Sequence, residues 1–406
     1  MPFDARRPPC PPLLYLLPAS TARDTVEEGL LTAEVAALRQ AGRVVIPCAI
    51  TSDPVGNEPA LAAETIRIGL QPGAAVHPIG LARAIGLALR QTTHRRRDAL
   101  MLGRRVAATA TRHGCGAIHV ASADAAAIAG LIGGRLARLP VSLSPRACDV
   151  YAAPRDMALK LAAAGLILAP CRAIAEACRA VSPHATIRIV PQGIDMTHHS
   201  AADHLPRNGR LLCLAPLLPR SGLEDVIGAL VLLSPAHRPV IDVIGAGPLL
   251  ESLRDAALEA GISDHLRFLG ARGPDWVTAE APRYLGLVAP GIIAPDGDCD
   301  PQPIAVLRAM ALQLPVLATG LPGMRDLVRP DCGLLVNPAA PSALAAGLHW
   351  LANLPEDQRS RLGEAGRNRV LHRFTTANRA TVLAAMLSAG RQTGTIPQPG
   401  IATSMP

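Results

Sequence analysis

The sequence predicts an α/β protein with two doubly wound, Rossmann-like domains facing each other across a cleft. Three observations carry that expectation. Short apolar strands alternate with helical segments from Leu13 to Asp195, and a second series of the same kind runs from Arg210 to Val336. Between them, His198 to Asn208 is polar and contains a proline, the composition of a hinge. Alternation at this spacing implies right-handed crossovers and parallel sheets covered by helices on both faces. Ligands of such sheets sit beyond the carboxyl ends of the strands.

The elements follow in order. Pro8 to Pro12 is a stiff leader before the strand LLYLLP. Helical periodicity covers Glu27 to Gln40 and stops at Gly42, in the place of a C-cap. RVVIPCAI is the next strand, followed by Pro/Gly-bearing loops at Asp53–Asn57 and Gln71–Pro78. Leu81 to His113 reads as one long helix, AIHVAS as a buried strand and Ala123 to Leu139 as an alanine-rich helix, before the strand VSLSP. A helix at Met157–Ala164, the strand LILAP, a helix at Cys171–Val181 and the segment ATIRIVPQGIDM complete a first domain spanning 1–197. A hinge at 198–209 leads to a second domain at 210–372, a C-terminal helix at 373–389 and a Gly/Pro/Thr-rich tail at 390–406 that reads as disordered. No internal repeat is visible.

Composition narrows the function. The chain has 406 residues, enough for two or three domains with their own cores. No apolar run reaches the roughly 18 residues of a spanning helix, and MPFDARRPPCPP lacks a signal-peptide core, so a cytoplasmic protein is expected. Nine scattered cysteines, an odd number without a CxxC, read as buried thiols rather than a disulfide framework or a metal site. The net charge is +8, almost all of it arginine, with Lys160 the single lysine. Aromatics are 2% of the chain, too few for base-stacking platforms, so nucleic acid is not the expected partner. The dense cluster His94–Arg97 with Arg104 and Arg105 reads either as a solvated helix face or as a peripheral contact with the inner membrane face or a phosphate-linked lipid.

The segment Gly245-Ala246-Gly247-Pro248 ends a strand just before a helix. Glycines there let backbone amides approach an anionic or aromatic ligand, although a tight turn alone also accounts for them. HLRFLG follows about twenty residues on, then DCDPQPIAVLRAMALQLPVLATGLPGMRDLV and CGLLVNP. In this order the motifs resemble the C-terminal domain of the retaining family-4 (group 1) glycosyltransferases of GT-B fold, of the bacterial polysaccharide-biosynthesis type. The resemblance covers roughly residues 15 to 388. In the first half, IVPQGID resembles the family's V-P-N-G-V-D at the interdomain crossover, where Gly193 is expected to permit a positive φ.

Residue by residue, the resemblance implies a donor site with several substitutions. In the family's E-G-x-P-x-x-x-x-E-A frame the first glutamate meets the donor sugar and the second the ribose hydroxyls. Here Asp300 holds the first place, and Arg308, which accepts no hydrogen bond, holds the second. The family's G-R-L-x-x-K-K-G supplies two cations to the leaving diphosphate; this chain has Pro216 and Ser221 in their places, with Arg220 and Gly222 adjacent. The resemblance assigns Gly245, Gly247 and Pro248 to the nucleotide. AIHVAS keeps the first histidine of I-H-A-H-F as His119 and has Ala121 at the second; His119 reads equally as a satisfied core residue. SPRACDVY keeps Asp149 and Tyr151 of T-A-H-A-x-D-I-Y and has Arg146 at the histidine near the reacting sugar.

The implied function is transfer of a sugar from a nucleotide-sugar donor to a saccharide or lipid-linked acceptor, with retention. Catalytic roles fall to Asp300, His119 and Arg146, and donor contacts to Arg220, Ser221, Gly222, Gly245, Gly247, Pro248 and Arg308. No metal or cofactor is expected, because side-chain cations and helix dipoles carry the diphosphate charge in this architecture. The alternative is a catalytically inactive pseudo-glycosyltransferase, a nucleotide-binding or scaffold subunit of polysaccharide synthesis.

Overall fold

Runs of Leu, Ile and Val buried on both faces build the strands, as parallel sheets between two helical layers require. The computed structural model describes residues 10–18, 25–50, 65–67, 78–152, 154–197, 199, 207–300 and 302–389. The predicted loop at Asp53–Asn57, nearly all of that at Gln71–Pro78, most of the hinge and the tail at 390–406 lie outside them.

The first sheet contains β1 (Leu13–Leu16), β2 (Val45–Ala49), β3 (Ile66–Arg67), β4 (Ala117–Val120), β5 (Val141–Leu143), β6 (Leu166–Ala169) and β7 (Ile187–Ile189). Their order is β3-β2-β1-β4-β5-β6-β7, with every pairing parallel. The second contains β8 (Leu211–Leu214), β9 (Ile241–Ile244), β10 (Leu266–Gly270), β11 (Leu287–Ala289), β12 (Val316–Thr319) and β13 (Gly333–Val336), in the order β10-β9-β8-β11-β12-β13. It too is parallel throughout. Strand order reverses beside β1 in one sheet and beside β8 in the other, which opens a crevice at each set of carboxyl ends. The predicted fold class is the observed one.

Helices α1 (Thr25–Gln40), α2 (Pro78–Arg90), α3 (Arg96–Arg112), α4 (Ala125–Ala137), α5 (Met157–Ala163) and α6 (Arg172–Val181) accompany the first sheet. The long helix expected over Leu81–His113 is two helices. Asp156 accepts hydrogen bonds from the backbone N–H groups of Thr92 (2.7 Å) and Thr93 (2.8 Å) and from both hydroxyls, so the chain leaves the helix there. Small residues bring α3 and α4 together. A Cβ on Gly103 would lie 2.1 Å from Ile132 Cγ2, and one on Gly133 2.6 Å from Val106 Cγ1, so each helix receives the other's branched side chain.

The second sheet carries α7 (Leu223–Leu232), α8 (Leu250–Glu259), α9 (Pro274–Glu280), α10 (Ile304–Ala311), α11 (Met324–Leu327), α12 (Pro341–Ala352) and α13 (Glu356–Arg373). The last helix is α14 (Thr376–Ala389). Its Ala380, Leu383 and Met386 enter the core of the first domain beside Leu13, Tyr15, Leu31 and Val35. The chain crosses between domains twice, and the crossings bond to each other. Ile194 N–H donates to Phe374 O (2.8 Å), and Thr376 N–H donates to Ile194 O (3.0 Å). Gly193 is glycine because of this contact: a Cβ would lie 2.4 Å from the Thr375 carbonyl. It is not among the positive-φ glycines, so the expected conformational reason gives way to a steric one. None of the described helices is long and apolar enough to cross a membrane.

Gly193→Ala should therefore destabilise the chain by about 1–3 kcal/mol through overpacking against a second backbone. Urea unfolding of the two proteins side by side checks this; equal midpoints would contradict the steric account.

Candidate functional site

The two crevices meet in a cavity of about 100 Å³ between the domains. The first domain contributes Glu34 of α1, Ala121, the Ser144–Ala147 loop after β5, and Gln192 and Gly193 of the first crossover. The second contributes Asp300 and Gln302, and Thr376 and Arg379 of the returning helix α14 close the remaining side.

A buried ion pair forms its deepest part. Arg379 Nε donates to Glu34 Oε2, and Arg379 Nη1 donates to the carbonyls of Val190 (2.7 Å) and Pro191 (3.4 Å). Tyr15 Oη donates to Glu34 Oε1 at 2.9 Å. Burial is the largest influence and would raise the Glu34 carboxyl, but the charge and hydrogen bond of Arg379, together with the lesser effects of His119 and the Tyr15 hydroxyl, hold the group below its ordinary value. Four segments are tied here: β1, α1, the first crossover and α14.

Asp300, placed at the donor sugar by resemblance, does line this cavity. Its Oδ1 accepts the Gln302 N–H at 3.1 Å. Burial raises its pKa, against the opposing effects of that N–H and of the Arg220 charge. Two further polar atoms went unrecognised in the sequence. Gln302 Oε1 and Thr376 Oγ1 are buried in side chains only 9% and 6% exposed, line the cavity and have no hydrogen-bond partner among the described residues. A buried acceptor or hydroxyl left unpaired costs about 1–3 kcal/mol, so these two atoms call for a hydrogen-bonding partner in the cavity. Gln302 lies inside the D-P-Q-P frame and was the detectable one; Thr376 had no signal, because only the crossover pairing brings it to the site.

The remaining predicted residues divide. Arg146 lines the cavity, but its guanidinium is engaged by Asp149 (Nη2 to Oδ1, 3.1 Å) and Asp124 (3.4 Å). Asp149 also accepts the N–H groups of Ala123 (2.8 Å) and Arg146 (3.0 Å), so these two loops are held as one wall. His119 is not part of the cavity lining. It is fully buried, with Nδ1 2.9 Å from Ser142 Oγ and Nε2 3.3 Å from Ser144 Oγ, and Ser144 stands between it and the cavity. Burial holds its pKa down to about 4, so the ring is neutral at neutral pH. Its assignment as a catalytic group is thereby corrected: it is a satisfied core histidine supporting Ser144.

Arg220 is within electrostatic reach of Asp300 and pairs with Asp298, two residues before Asp300. Ser221 is buried, its hydroxyl donating to Pro216 O, which makes it a turn residue. Gly222 has φ +65°, and a Cβ there would lie 2.0 Å from Pro290 O. Gly245 and Gly247 follow β9 and pack against the Ala215–Leu217 backbone, where added Cβ atoms would lie 1.9 and 2.4 Å from carbonyl oxygens. Ala246, Gly247 and Pro248 are exposed beyond that contact. Arg308 is half-buried on α10 and is not a lining residue of the cavity. Thus Asp300 and Arg146 come together, while Arg220, Arg308 and the 245–248 turn lie on the second domain outside the cavity.

Comparison with known proteins places this geometry. Residues 201–369 match the family described as glycosyl transferases group 1. Over 225 residues the chain is 28% identical to a GDP-mannose-dependent alpha-(1-6)-phosphatidylinositol monomannoside mannosyltransferase of Mycobacterium tuberculosis, covering 51% of this chain and 57% of that protein. Over 215 residues it is 28% identical to the putative colanic acid biosynthesis glycosyltransferase WcaL of Escherichia coli, covering 51% and 52%. The chain thus spans about half the length of the curated relatives it matches. Among solved structures, sucrose-phosphate synthase from Thermosynechococcus elongatus superposes with a TM-score of 0.68 at 18% identity, covering 92% of this chain and 98% of that one. Anabaena HepE in complex with UDP and glucose gives 0.69 at 16% identity, covering 93% and 99%. The fold is GT-B.

Two predictions follow from the buried groups. Arg379→Met leaves the Glu34 carboxylate buried and unpaired and should cost about 3–5 kcal/mol, whereas Glu34→Gln with Arg379→Met should recover part of that loss, both read from urea unfolding. The stability provided by neutral His119 is intact above pH 6.5 and is lost as the pH falls toward about 4. That loss is on the order of 3 kcal/mol. Unfolding midpoints taken between pH 7 and 4 should drop in the parent protein and change less in His119→Asn; parallel profiles would contradict the assignment.

Proposed function

We propose that the chain transfers a sugar from a nucleotide-sugar donor to a saccharide or lipid-linked acceptor, with retention, in the cavity between its two domains. The observation that carries this reading is the convergence of Asp300, Gln302 and Thr376 on one enclosed space, two of them with unpaired polar atoms. A sugar supplies the hydroxyl groups those atoms lack. The matched family in the second domain and the names of the relatives support the same class of reaction.

The nucleotide lies over the exposed 245–248 turn and the diphosphate over Arg220, near the start of α7, whose N-terminus adds a partial positive charge. Diphosphate binding then takes the place of Asp298 as the partner of Arg220. Asp300 orients the donor sugar, and its environment, which disfavours a bare carboxylate, makes it a strong acceptor for sugar hydroxyls. Attack comes from the face that the diphosphate leaves, with no protein nucleophile, and Arg146 holds that side of the pocket through its carboxylate partners. No metal takes part, since Arg220 and the helix terminus carry the developing phosphate charge.

One observation favours a second reading. Arg146 and Arg220 both have carboxylate partners already, so their charge is partly spent within the protein. A chain that binds nucleotide without turnover fits that arrangement. Thermal unfolding with UDP, GDP, ADP and their sugars separates the readings. A nucleotide at about 100 times its dissociation constant adds roughly 2.7 kcal/mol of stability. The transferase reading predicts a shift with one base and transfer of labelled sugar. Asp300→Asn should keep the nucleotide shift and lower turnover on the order of a hundredfold. A shift without transfer would leave nucleotide binding without turnover, and no shift at millimolar nucleotide would remove both of these readings and favour a scaffold role.

A further inference from the structure

Among the described residues that line the cavity, the cations are Arg146 and Arg379, and they are held in different ways. Arg379 is 9% exposed and committed to Glu34, with two carbonyls on Nη1. The Arg146 side chain is 18% exposed and lies side-on to Asp149, with Nε 3.3 Å from Oδ2 and Nη2 3.1 Å from Oδ1. Asp124 is the farther of its two carboxylate partners, with Oδ2 3.4 Å from Nη2.

Both carboxylates have other donors. Asp149 accepts the N–H groups of Ala123 (2.8 Å) and of Arg146 itself (3.0 Å). Asp124 caps α4 by accepting the Ala126 N–H (2.9 Å), and it also accepts the Ser122 hydroxyl (2.7 Å). Behind them lies the one lysine of the chain. Lys160 is 1% exposed, and its Nζ donates to the carbonyls of Ala123 and Arg155, both at 2.8 Å. Ala123 is thus held by Asp149 through its N–H and by Lys160 through its carbonyl. Burial lowers the pKa of Lys160, and the charges of Asp149, Asp124 and Asp156 oppose that shift, so the ammonium compensates the same acids from behind.

The wall therefore keeps hydrogen bonds and a counter-charge when the guanidinium turns from Asp124 toward the cavity. An anion there meets little opposition from the other acids that line it. Glu34 is neutralised by Arg379, and burial disfavours the charge of Asp300. Gln302 Oε1 and Thr376 Oγ1 call for hydrogen-bonding partners, whereas Arg146 calls for a negative charge. A sugar acid carries hydroxyls and a charge together. The planar fork of an arginine fits a carboxylate through two parallel N–H groups.

We propose that the cavity takes a uronic acid, whose carboxylate Arg146 binds by giving up Asp124 while it keeps Asp149. This rests on the transfer reading and adds the class of sugar; the acid is the donor's sugar or the accepting end of the acceptor.

Calorimetric titration of the full chain separates these sources. Donors are compared on one base: UDP-glucose with UDP-glucuronate, UDP-galactose with UDP-galacturonate, and GDP-mannose with GDP-mannuronate. Acceptors are compared as the matching methyl glycosides and methyl glycuronides in the presence of UDP or GDP. In one arm the parent should favour the acid by about tenfold or more, the worth of one charge-assisted contact. R146Q should lose that preference and still bind the bare nucleotide, and R146K, a point charge without the fork, should keep only part of it. D124N retains a helix cap and frees the guanidinium, so it should raise the preference, which a purely structural Arg146 would leave unmoved. K160M, checked for folding by circular dichroism, should lower it, because the acids then hold Arg146 harder. No preference in any arm, or one that survives R146Q, would overturn the proposal while transfer of a labelled neutral sugar kept the transfer reading. Loss of bare UDP or GDP binding in R146Q would overturn it too, by making Arg146 a diphosphate contact. A parent that neither binds nucleotide nor transfers any sugar would remove the transfer reading and this proposal with it.

Discussion

The buried pair of Glu34 and Arg379 is the constraint on which the remaining geometry rests. Helix α14 leaves the second domain at Thr376 and packs on the first through Ala380, Leu383 and Met386, where Arg379 finds a charge partner and two carbonyls. Tyr15 of β1 fixes the same carboxylate from the strand side. A buried charge pair of this kind contributes little net stability compared with an apolar isostere but is costly to break. Its consequence here is geometric: it sets where the crossovers at Gly193 and Thr375 meet, and thereby where Gln302, Thr376 and Asp300 face the first domain.

The polar residues of the cleft follow from that placement. Asp149 anchors two loops of the first domain through backbone N–H groups and Arg146, making a wall that does not collapse into the cavity. On the opposite side, Asp300 is held by the turn that brings Gln302 behind it, in a setting dry enough to disfavour its charge. Arg220 is within electrostatic reach of Asp300 and is paired to Asp298, so a diphosphate arriving there competes with a carboxylate rather than with water alone. That competition is the physical difference between this site and one with two unpaired cations.

The fold was readable because it depends on local rules. Apolar runs of four or five residues between amphipathic helices define parallel strands, and both sheets have the order those rules favour. Of the candidate site residues, Asp300 and Arg146 were marked by a sequence frame and line the cavity. Glu34 and Arg379 are 345 positions apart and form their pair through the returning helix, which no local pattern reports. His119 was visible as a histidine at a strand end, but its full burial behind Ser144 is a property of packing. The break at Thr92 and Thr93 was hidden for the same reason: its cause, Asp156, lies more than sixty residues away. Gly193 was correctly singled out for an incorrect reason, since crowding by a second backbone and a positive φ both select glycine.

The central claim is that the surface from Arg220 through the 245–248 turn to Asp300 and Gln302 holds a nucleotide sugar against the first domain. Hydrogen exchange with and without the nucleotide sugar that stabilises the protein tests it most directly. The account predicts slowed exchange in segments 216–224, 245–250 and 298–304 of the second domain and in 144–150 of the first, with α2 unchanged. Protection confined to α2, or absent from the 245–250 and 298–304 segments, would contradict it.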